Sequence, residues 1–361
     1  MPDFHTPLCD LLGCRYPIVQ TGMGWVTGSE LVAATTNAGG FGFLAGATIA
    51  ADRIEAEILR VRELTGDRPF GLNFHMFQPN ATQLLDLAVK HRVRAVSYGR
   101  GPDKKVIGRL RDAGIVCMPT VGALKHAQKA IEMGANVITI QGAEGGGHTG
   151  SVPTTVLLPQ VVDAVKVPVV AAGGFYDGRG LLAALAYGAQ GIAMGTRFLM
   201  TSDNRVPAAT LERYLQVRDA EKIQVSYLVD GMPQRMIPNE YLAMLEKASP
   251  LRRLRLALRL ALAYRAQTGM TGTQALKAMW SGLREDASSV AQTVMAANAP
   301  MLLQRSMVEG KPAEGVMSAG QVAALIGRLQ SCQEVIEGLI GQARARRDAL
   351  MAIGTVEGSH V

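Results

Sequence analysis

Eight short apolar runs recur through the first 205 positions at intervals of roughly 20–30 residues, each followed by a longer amphipathic stretch. They are Pro17–Met23, Phe41–Leu44, Pro69–Asn73, Ala95–Tyr98, Ile115–Met118, Val137–Ile140, Val167–Val170 and Gly191–Met194. Between them the pattern predicts helices at Ala51–Thr65, Thr82–His91, Lys104–Ala113, Ala123–Met133 and Arg179–Tyr187, and one beginning at Thr154. Gly66, Gly114, Gly134 and Gly188 follow four of these, where a left-handed C-terminal cap is expected. Strands alternating with helices imply a parallel sheet, and eight such units closing on themselves make a (β/α)8 TIM barrel. A doubly wound open sheet is the rival, but no GxGxxG follows the first strand.

In such a barrel the turns after the strands share one rim, where the chemistry is kept. This gathers motifs that are distant in sequence: Gln20, Thr21, Gly22 and Met23 after strand one, Asn73 at strand three, Gln141 to Gly150 after strand six, Ala172, Gly173 and Gly174 after strand seven, and Gly195 and Thr196 after strand eight. Backbone N–H groups after the last two strands commonly hold a phosphate, and Gly173, Gly174, Gly195 and Thr196 offer bare donors plus one hydroxyl. The run Gln141-Gly-Ala-Glu-Gly-Gly-Gly-His148-Thr-Gly150 lets the backbone approach a flat ligand through Gly146 and Gly147. It leaves His148 as its one side chain able to titrate near neutral pH. The plainer readings are tight turns that need glycine and a solvent-exposed histidine. His75 is a second candidate at the rim, His91 and His126 fall on helices as surface residues, and Cys117 reads as core.

The net charge of +7 suits an anionic ligand, and no aromatic-interleaved basic patch points to nucleic acid. Cys9, Cys14, Cys117 and Cys332 form no CxxC pair, so the expectation is no metal site and a reduced, cytoplasmic setting. No leader pattern opens the chain, and no uninterrupted apolar run of about 18 residues suggests a membrane span.

Past residue 205 the texture changes to helices, expected at Leu242–Glu246, Leu251–Arg265, Thr273–Leu283, Ser289–Ala297 and Gln321–Ala345. The expected organisation is a barrel over 1–205, a mostly helical appendage over the barrel rim at 206–315 and a helical return to the barrel at 316–361, with a loose tail from Gly354. Arg252, Arg255 and Arg259 lie on one face of a helix and Leu251, Leu254 and Leu258 on another. The basic face is either solvated or turned toward an acidic ligand.

Taken together, Gln20-Thr-Gly-Met23, Gly71-Leu-Asn73, Gln141 to Gly150, Ala172-Gly-Gly174, Met194-Gly-Thr-Arg-Phe198 and Ser318-Ala-Gly-Gln321 resemble the nitronate monooxygenases, or 2-nitropropane dioxygenase-like proteins. The resemblance covers about residues 6–345 and implies FMN held in the barrel, with NAD(P)H as a candidate co-substrate. Thr21-Gly-Met-Gly-Trp25, Ala171 to Arg179, Val229-Asp-Gly-Met-Pro233 and Met295 to Leu302 look like a branch of flavin dehydrogenases acting on a hydroxylated bicyclic CoA thioester in steroid-ring degradation. On this resemblance the FMN phosphate sits on Gly173, Gly174, Gly195 and Thr196. The ring lies near Gln20 to Met23, Asn73, Gln141, Gly146, Gly147 and Ala172, and His148 is the base. A nitronate monooxygenase using O2 and a non-redox phosphate-binding barrel are the alternatives. The expected partner is a small-molecule substrate, with a homodimer as the candidate assembly.

Overall fold

The computed structural model describes residues 3–75, 80–99, 104–268 and 298–353. Its strands, in chain order, are β1 (Ile18–Gln20), β2 (Phe41–Ala45), β3 (Gly71–Phe74), β4 (Ala95–Tyr98), β5 (Val116–Val121), β6 (Ile138–Gln141), β7 (Gly147–His148), β8 (Val169–Ala172), β9 (Gly191–Met194), β10 (Gln224–Ser226) and β11 (Gln234–Met236). Eight of them close a parallel barrel in the order β1-β2-β3-β4-β5-β6-β8-β9, with β9 pairing back onto β1. Every predicted run supplies one barrel strand. The runs read as largely apolar, without alternation, because each strand is covered on both faces, by the barrel interior and by the helices.

The register fixes which side chains face inward. Val19 pairs with Phe41 and with Ala193, Phe43 with Gly71, and Thr139 with Val170. Val19, Phe41, Phe43, Ala95, Val116, Met118, Val170, Ala172 and Ala193 form one buried cluster, joined by Leu8 and Leu12 from the helix Pro7–Leu12. Their neighbours, such as Ile18, Ile140, Ala171 and Ile192, belong to a second cluster shared with the surrounding helices. Alternation along each strand therefore separates a packed barrel interior from a helix-facing shell.

The helices form where the pattern places them, including Ile54–Thr65, Ala81–Lys90, Lys104–Asp112, Leu124–Glu132, Thr154–Ala164 and Gly178–Ala186. Gly66, Gly114, Gly134 and Gly188 all take positive φ, which satisfies the ends of their helices without a Cβ clash. Asp177 caps the helix Gly178–Ala186, accepting from the N–H groups of Arg179 and Gly180. Among the described helices none is long and apolar enough to cross a membrane.

Three features after residue 205 differ from the reading of the sequence. A hairpin, β10 with β11, stands within the segment expected to be helical, and β11 pairs in turn with β7. The helix expected over Gln321–Ala345 is broken into a 3-10 turn, Gln321–Leu325, and a helix, Cys332–Ile353. The break comes from a capping box: Ser331 Oγ accepts from Glu334 N at 3.2 Å while the Glu334 carboxylate accepts from Ser331 N at 2.7 Å. On the helix Pro250–Thr268, Leu251, Leu254 and Leu258 face solvent along with Arg252, Arg255 and Arg259; among the described side chains Ala257 and Leu260 are buried. The helices expected at Thr273–Leu283 and Ser289–Ala297, and the tail from Gly354, lie outside the described residues.

Candidate active site

The pleat turns one side chain from the end of each of several strands toward the barrel mouth. Asn73 pairs in register with Ala45 and Ser97, and Gln141 with Ala172; these positions share the inward face. Asn73 Nδ2 donates to the Ser97 carbonyl at 3.1 Å, which fixes the amide across β3 and β4. Gly22 passes directly over Asn73: a Cβ at that position would lie 2.3 Å from Asn73 Cβ, so only glycine fits. A Cβ on Gly195 would lie 3.1 Å from Thr21 Oγ1 and 3.4 Å from Met23 Sδ, placing the turns after β1 and β9 side by side.

Gln20 departs from the expectation for the rim. It shares register with Gly42 and Met194, on the helix-facing side of the sheet. Its amide Nε2 is taken up by the carbonyls of Thr21 and Phe43. The period-two pleat that turns Thr21 inward turns Gln20 outward, and its Oε1 is buried without a hydrogen-bond partner among the described residues.

The glycine-rich loop after β6 is held on three sides. Gln141 Nε2 donates to the His148 carbonyl at 2.8 Å and closes the loop on itself. Glu144 turns back to the helix Thr154–Ala164, accepting from Thr154 N at 3.1 Å and Thr154 Oγ1 at 2.8 Å. A carboxylate at a helix N-terminus is favourable, so this helix end is occupied by the protein's own anion. Gly146 lies against the segment around Ala319, where a Cβ would meet Ala319 C and Gly320 N at 2.5 Å. The same segment reaches the turn after β9, because Gly320 N donates to Thr196 Oγ1 at 2.9 Å. Tyr214 anchors it further, its hydroxyl donating to the Ser318 carbonyl at 2.7 Å.

His148 stands on β7, the outer strand of the three-stranded sheet β10-β11-β7, paired with Gln234. Its Nε2 lies 2.7 Å from Asp230 Oδ2 and 3.1 Å from Gln234 Nε2, and Gln234 Nε2 donates to the same Asp230 oxygen at 2.5 Å. The side chain of Asp230 is 3% exposed, that of His148 52%. One carboxylate oxygen thus accepts from two donors. Assigned from this network, the imidazole carries its proton on Nε2 toward Asp230, and Nδ1 is the basic ring atom. Met232 N donates to the other Asp230 oxygen at 3.1 Å, so the carboxylate is oriented at both ends. Arg235 ties the hairpin to the loop through the carbonyls of Ala143 and Ile223.

Gly173 and Gly174 follow β8 with φ of 98° and 82°, side by side in the left-handed region. Among the described residues no backbone acceptor takes either N–H. A Cβ on Gly174 would meet only the Glu144 side chain, at 3.7 Å, so the backbone faces open space next to a carboxylate whose oxygens are engaged elsewhere. A Cβ on Gly173 would lie 3.1 Å from Gly142, linking this turn to the loop that carries His148.

The structure therefore brings Thr21, Gly22, Met23, Asn73, Gln141, Gly146, Gly147, His148, Ala172, Gly173, Gly174, Gly195 and Thr196 to one end of the barrel, and turns the Gln20 side chain away. His75 lies at the rim beside Gly99. His91 pairs with Glu55 at 2.7 Å at the end of a helix, and His126 is exposed on another. Cys117 is buried on the helix-facing side of β5, and burial pushes its thiol up to about 11. Sequence reasoning missed Asp230, Gln234 and Glu144. Asp230 sits in the quoted Val229-Asp-Gly-Met-Pro233 motif, but nothing local to that motif announces a partner 82 residues away.

The sequence profile of the nitronate monooxygenase family matches residues 5–86 and 80–342. The chain is 45% identical over 353 residues, 98% of its length and 99% of the relative's, to (3aS,4S,5R,7aS)-5-hydroxy-7a-methyl-1-oxo-octahydro-1H-indene-4-carboxyl-CoA dehydrogenase of Rhodococcus jostii strain RHA1. It is 46% identical to the protein of the same name from Mycobacterium tuberculosis, covering 93% of this chain and 95% of that one. A probable nitronate monooxygenase of Staphylococcus saprophyticus is 32% identical over 66% of this chain and 79% of its own. Among solved structures, FabK from Thermotoga maritima superposes with a TM-score of 0.76 at 28% identity, covering 97% of this chain and 99% of that one. Nitroalkane oxidase from Streptomyces ansochromogenes gives 0.72 at 29% identity over 95% and 99%. With a family profile matched along most of its length and the barrel that its relatives share, the chain belongs to the nitronate monooxygenase family of flavin-dependent oxidoreductases.

Proposed function

We propose that this protein is an FMN-dependent dehydrogenase that oxidises a hydroxylated CoA thioester of steroid-ring degradation. The observation that carries the reading is the His148–Asp230 pair at 2.7 Å, set at the barrel mouth beside turns that offer bare backbone donors. Two relatives named for such a thioester, alike at 45% and 46% identity over nearly their whole length, give the substrate class.

The residues suit FMN. The adjacent left-handed glycines at 173 and 174 leave N–H groups uncovered for a phosphate, with Gly195 and Thr196 on the neighbouring turn. Gly22, Gly146 and Gly147 keep side chains off the mouth, and Asn73 and Gln141 offer amide groups at its edge. Bound FMN supplies the two-electron acceptor for the hydride leaving the carbinol carbon. His148 takes the hydroxyl proton on Nδ1 as the carbonyl forms, and Asp230 steadies the resulting imidazolium through Nε2. Gln234 shares the Asp230 oxygen and keeps the carboxylate from swinging away from the ring. NAD(P) is the candidate partner for the second half-reaction, in the cytoplasm and with a homodimer as the candidate assembly. A division into barrel (1–205), rim appendage (206–315) and C-terminal return (316–361) accompanies this reading, with His148 in the first part and Asp230 in the second.

The test is anaerobic: purified protein mixed with a β-hydroxyacyl-CoA thioester of a bicyclic carboxylic acid, followed by visible absorption. Bleaching of the flavin bands supports the dehydrogenase. Rapid O2 uptake with an alkyl nitronate and no bleaching by the thioester transfers the assignment to nitronate oxidation, and protein that stays colourless with added FMN ends both.

A further inference from the structure

Arg197 follows Thr196 directly but does not face the barrel mouth. Its side chain is buried, 5% exposed, and lines a cavity of about 140 Å³ between the turn after β8 and the segment leading into the helix Cys332–Ile353. Its Nε has no hydrogen-bond partner among the described residues, and the guanidinium makes one long contact, to the Met200 carbonyl at 3.4 Å. Burial pushes its pKa down to about 10; Arg328 nearby acts in the same direction, and Cys332 and Glu334 offset part of the fall without reaching ion-pair distance. An uncompensated buried cation is expensive to maintain, which argues for something that completes it.

The carboxylates lining the cavity do not. Asp177 is engaged by the N–H groups of Arg179 and Gly180 and by the Arg179 side chain. Glu334 is engaged by Ser331 and lies 3.6 Å from Arg328. Among the described residues no carboxylate stands within ion-pair distance of Arg197. The other lining groups can donate: the Tyr176 hydroxyl already accepts from Arg179 at 2.8 Å, so its own proton is free to point elsewhere. Gln342 accepts from Gly178 N through Oε1, which leaves its Nε2 donors. Arg328, 71% exposed, stands at the edge.

We propose that this cavity is a second anion site, behind the Gly173–Gly174 turn and distinct from it, which takes a phosphate or sulfate dianion on the Arg197 guanidinium. The volume holds about five water molecules' worth of space, enough for a compact oxyanion and too little for a nucleoside. The dianion is either free or the terminal phosphate of a larger molecule that remains outside. Arg197 gains two parallel charge-assisted hydrogen bonds, and Tyr176 and Gln342 supply neutral donors.

The test uses full-length protein with FMN in excess, so that the turns after β8 and β9 are already engaged. Inorganic phosphate, sulfate and acetate are titrated at constant ionic strength, read by calorimetry and by melting temperature. Phosphate and sulfate are expected to bind saturably and acetate weakly, with affinity falling about tenfold or more in Arg197→Gln and less in Arg197→Lys. Tighter, Arg197-dependent binding of 2′,5′-ADP than of phosphate identifies a nucleotide-borne source; equal or weaker binding identifies the free ion. Should Arg197→Gln fail to fold, wild-type crystals soaked in selenate give the answer directly, as an anomalous peak beside Arg197. Absence of saturable binding, unchanged affinity in Arg197→Gln, or selenate only at other positions overturns the proposal. A protein that binds no FMN overturns the flavin reading alone, because the Arg197-dependent part of the titration is measured as a difference between variants.

Discussion

Asp230 Oδ2 lies 2.7 Å from His148 Nε2, and the two residues reach each other only because β11 pairs with β7. The contact fixes the tautomer of an imidazole that is otherwise half open to solvent. His148→Ala is expected to lower turnover by about 10²–10⁴-fold while the bound flavin spectrum persists. Asp230→Asn keeps the shape but offers the ring a donor in place of an acceptor, and is expected to lower turnover on the order of 10²-fold or more. Steady-state kinetics beside flavin absorbance separate these losses from simple loss of cofactor. Full activity in Asp230→Asn would show that the pair is structural.

Gly66 and Gly174 both require positive φ, but only one faces the mouth. At Gly66 a Cβ meets nothing within 4 Å, so Gly66→Ala is expected to cost about 1–2 kcal/mol of backbone strain and leave flavin affinity alone. Gly174→Ala carries the same strain and also moves a backbone donor; it should weaken FMN binding in equilibrium dialysis. Equal flavin affinity in both variants would remove Gly174 from the phosphate site.

Gly146 is pressed against the backbone of Ala319 and Gly320. Gly146→Ala places a methyl 2.5 Å from two main-chain atoms that cannot rotate aside, so either the glycine-rich loop or the Ser318–Gln321 segment must shift. The expected cost is about 1–3 kcal/mol, read as a lower melting temperature together with faster flavin release.

Ser331 and Glu334 cap the last described helix reciprocally. Ser331→Ala is expected to cost about 1 kcal/mol in denaturant melts. The Ser331 N–H, ahead of the Ser331 hydroxyl, holds the Glu334 carboxyl below its ordinary value of 4.5. A carboxyl lowered in the folded state stabilises above its unfolded value and loses that contribution as pH falls through the folded one. Wild type should therefore exceed Glu334→Gln in stability at neutral pH, with the gap closing as the pH drops below 4.5.

The barrel was legible because each of its strands is predominantly apolar and alternates with amphipathic stretches, four of which end in glycine. Gly66, Gly114, Gly134 and Gly188 announced their left-handed caps without help from tertiary structure. The hairpin was not legible, since Gln224-Val-Ser and Gln234-Arg-Met are too short to show alternation and are stabilised by a strand of two residues from a remote loop. The interruption before Cys332 was readable in principle from Ser331 and Glu334, but the periodic leucines and isoleucines on either side outweigh a four-residue signal. Gln20 shows the opposite failure: its place at a strand end was plain, whereas the direction of its side chain follows from pleat parity, which needs the register of β1 against β9.

The hydrogen bond from Gly320 N to Thr196 Oγ1 sets a timetable. All eight barrel strands lie within the first 194 residues, yet the nook around Thr196 and Gly146 has a wall drawn from residues 319–321. A nascent polypeptide that has released only its barrel from the ribosome still lacks that wall, so on the proposed flavin reading cofactor capture waits until residues 319–321 have emerged.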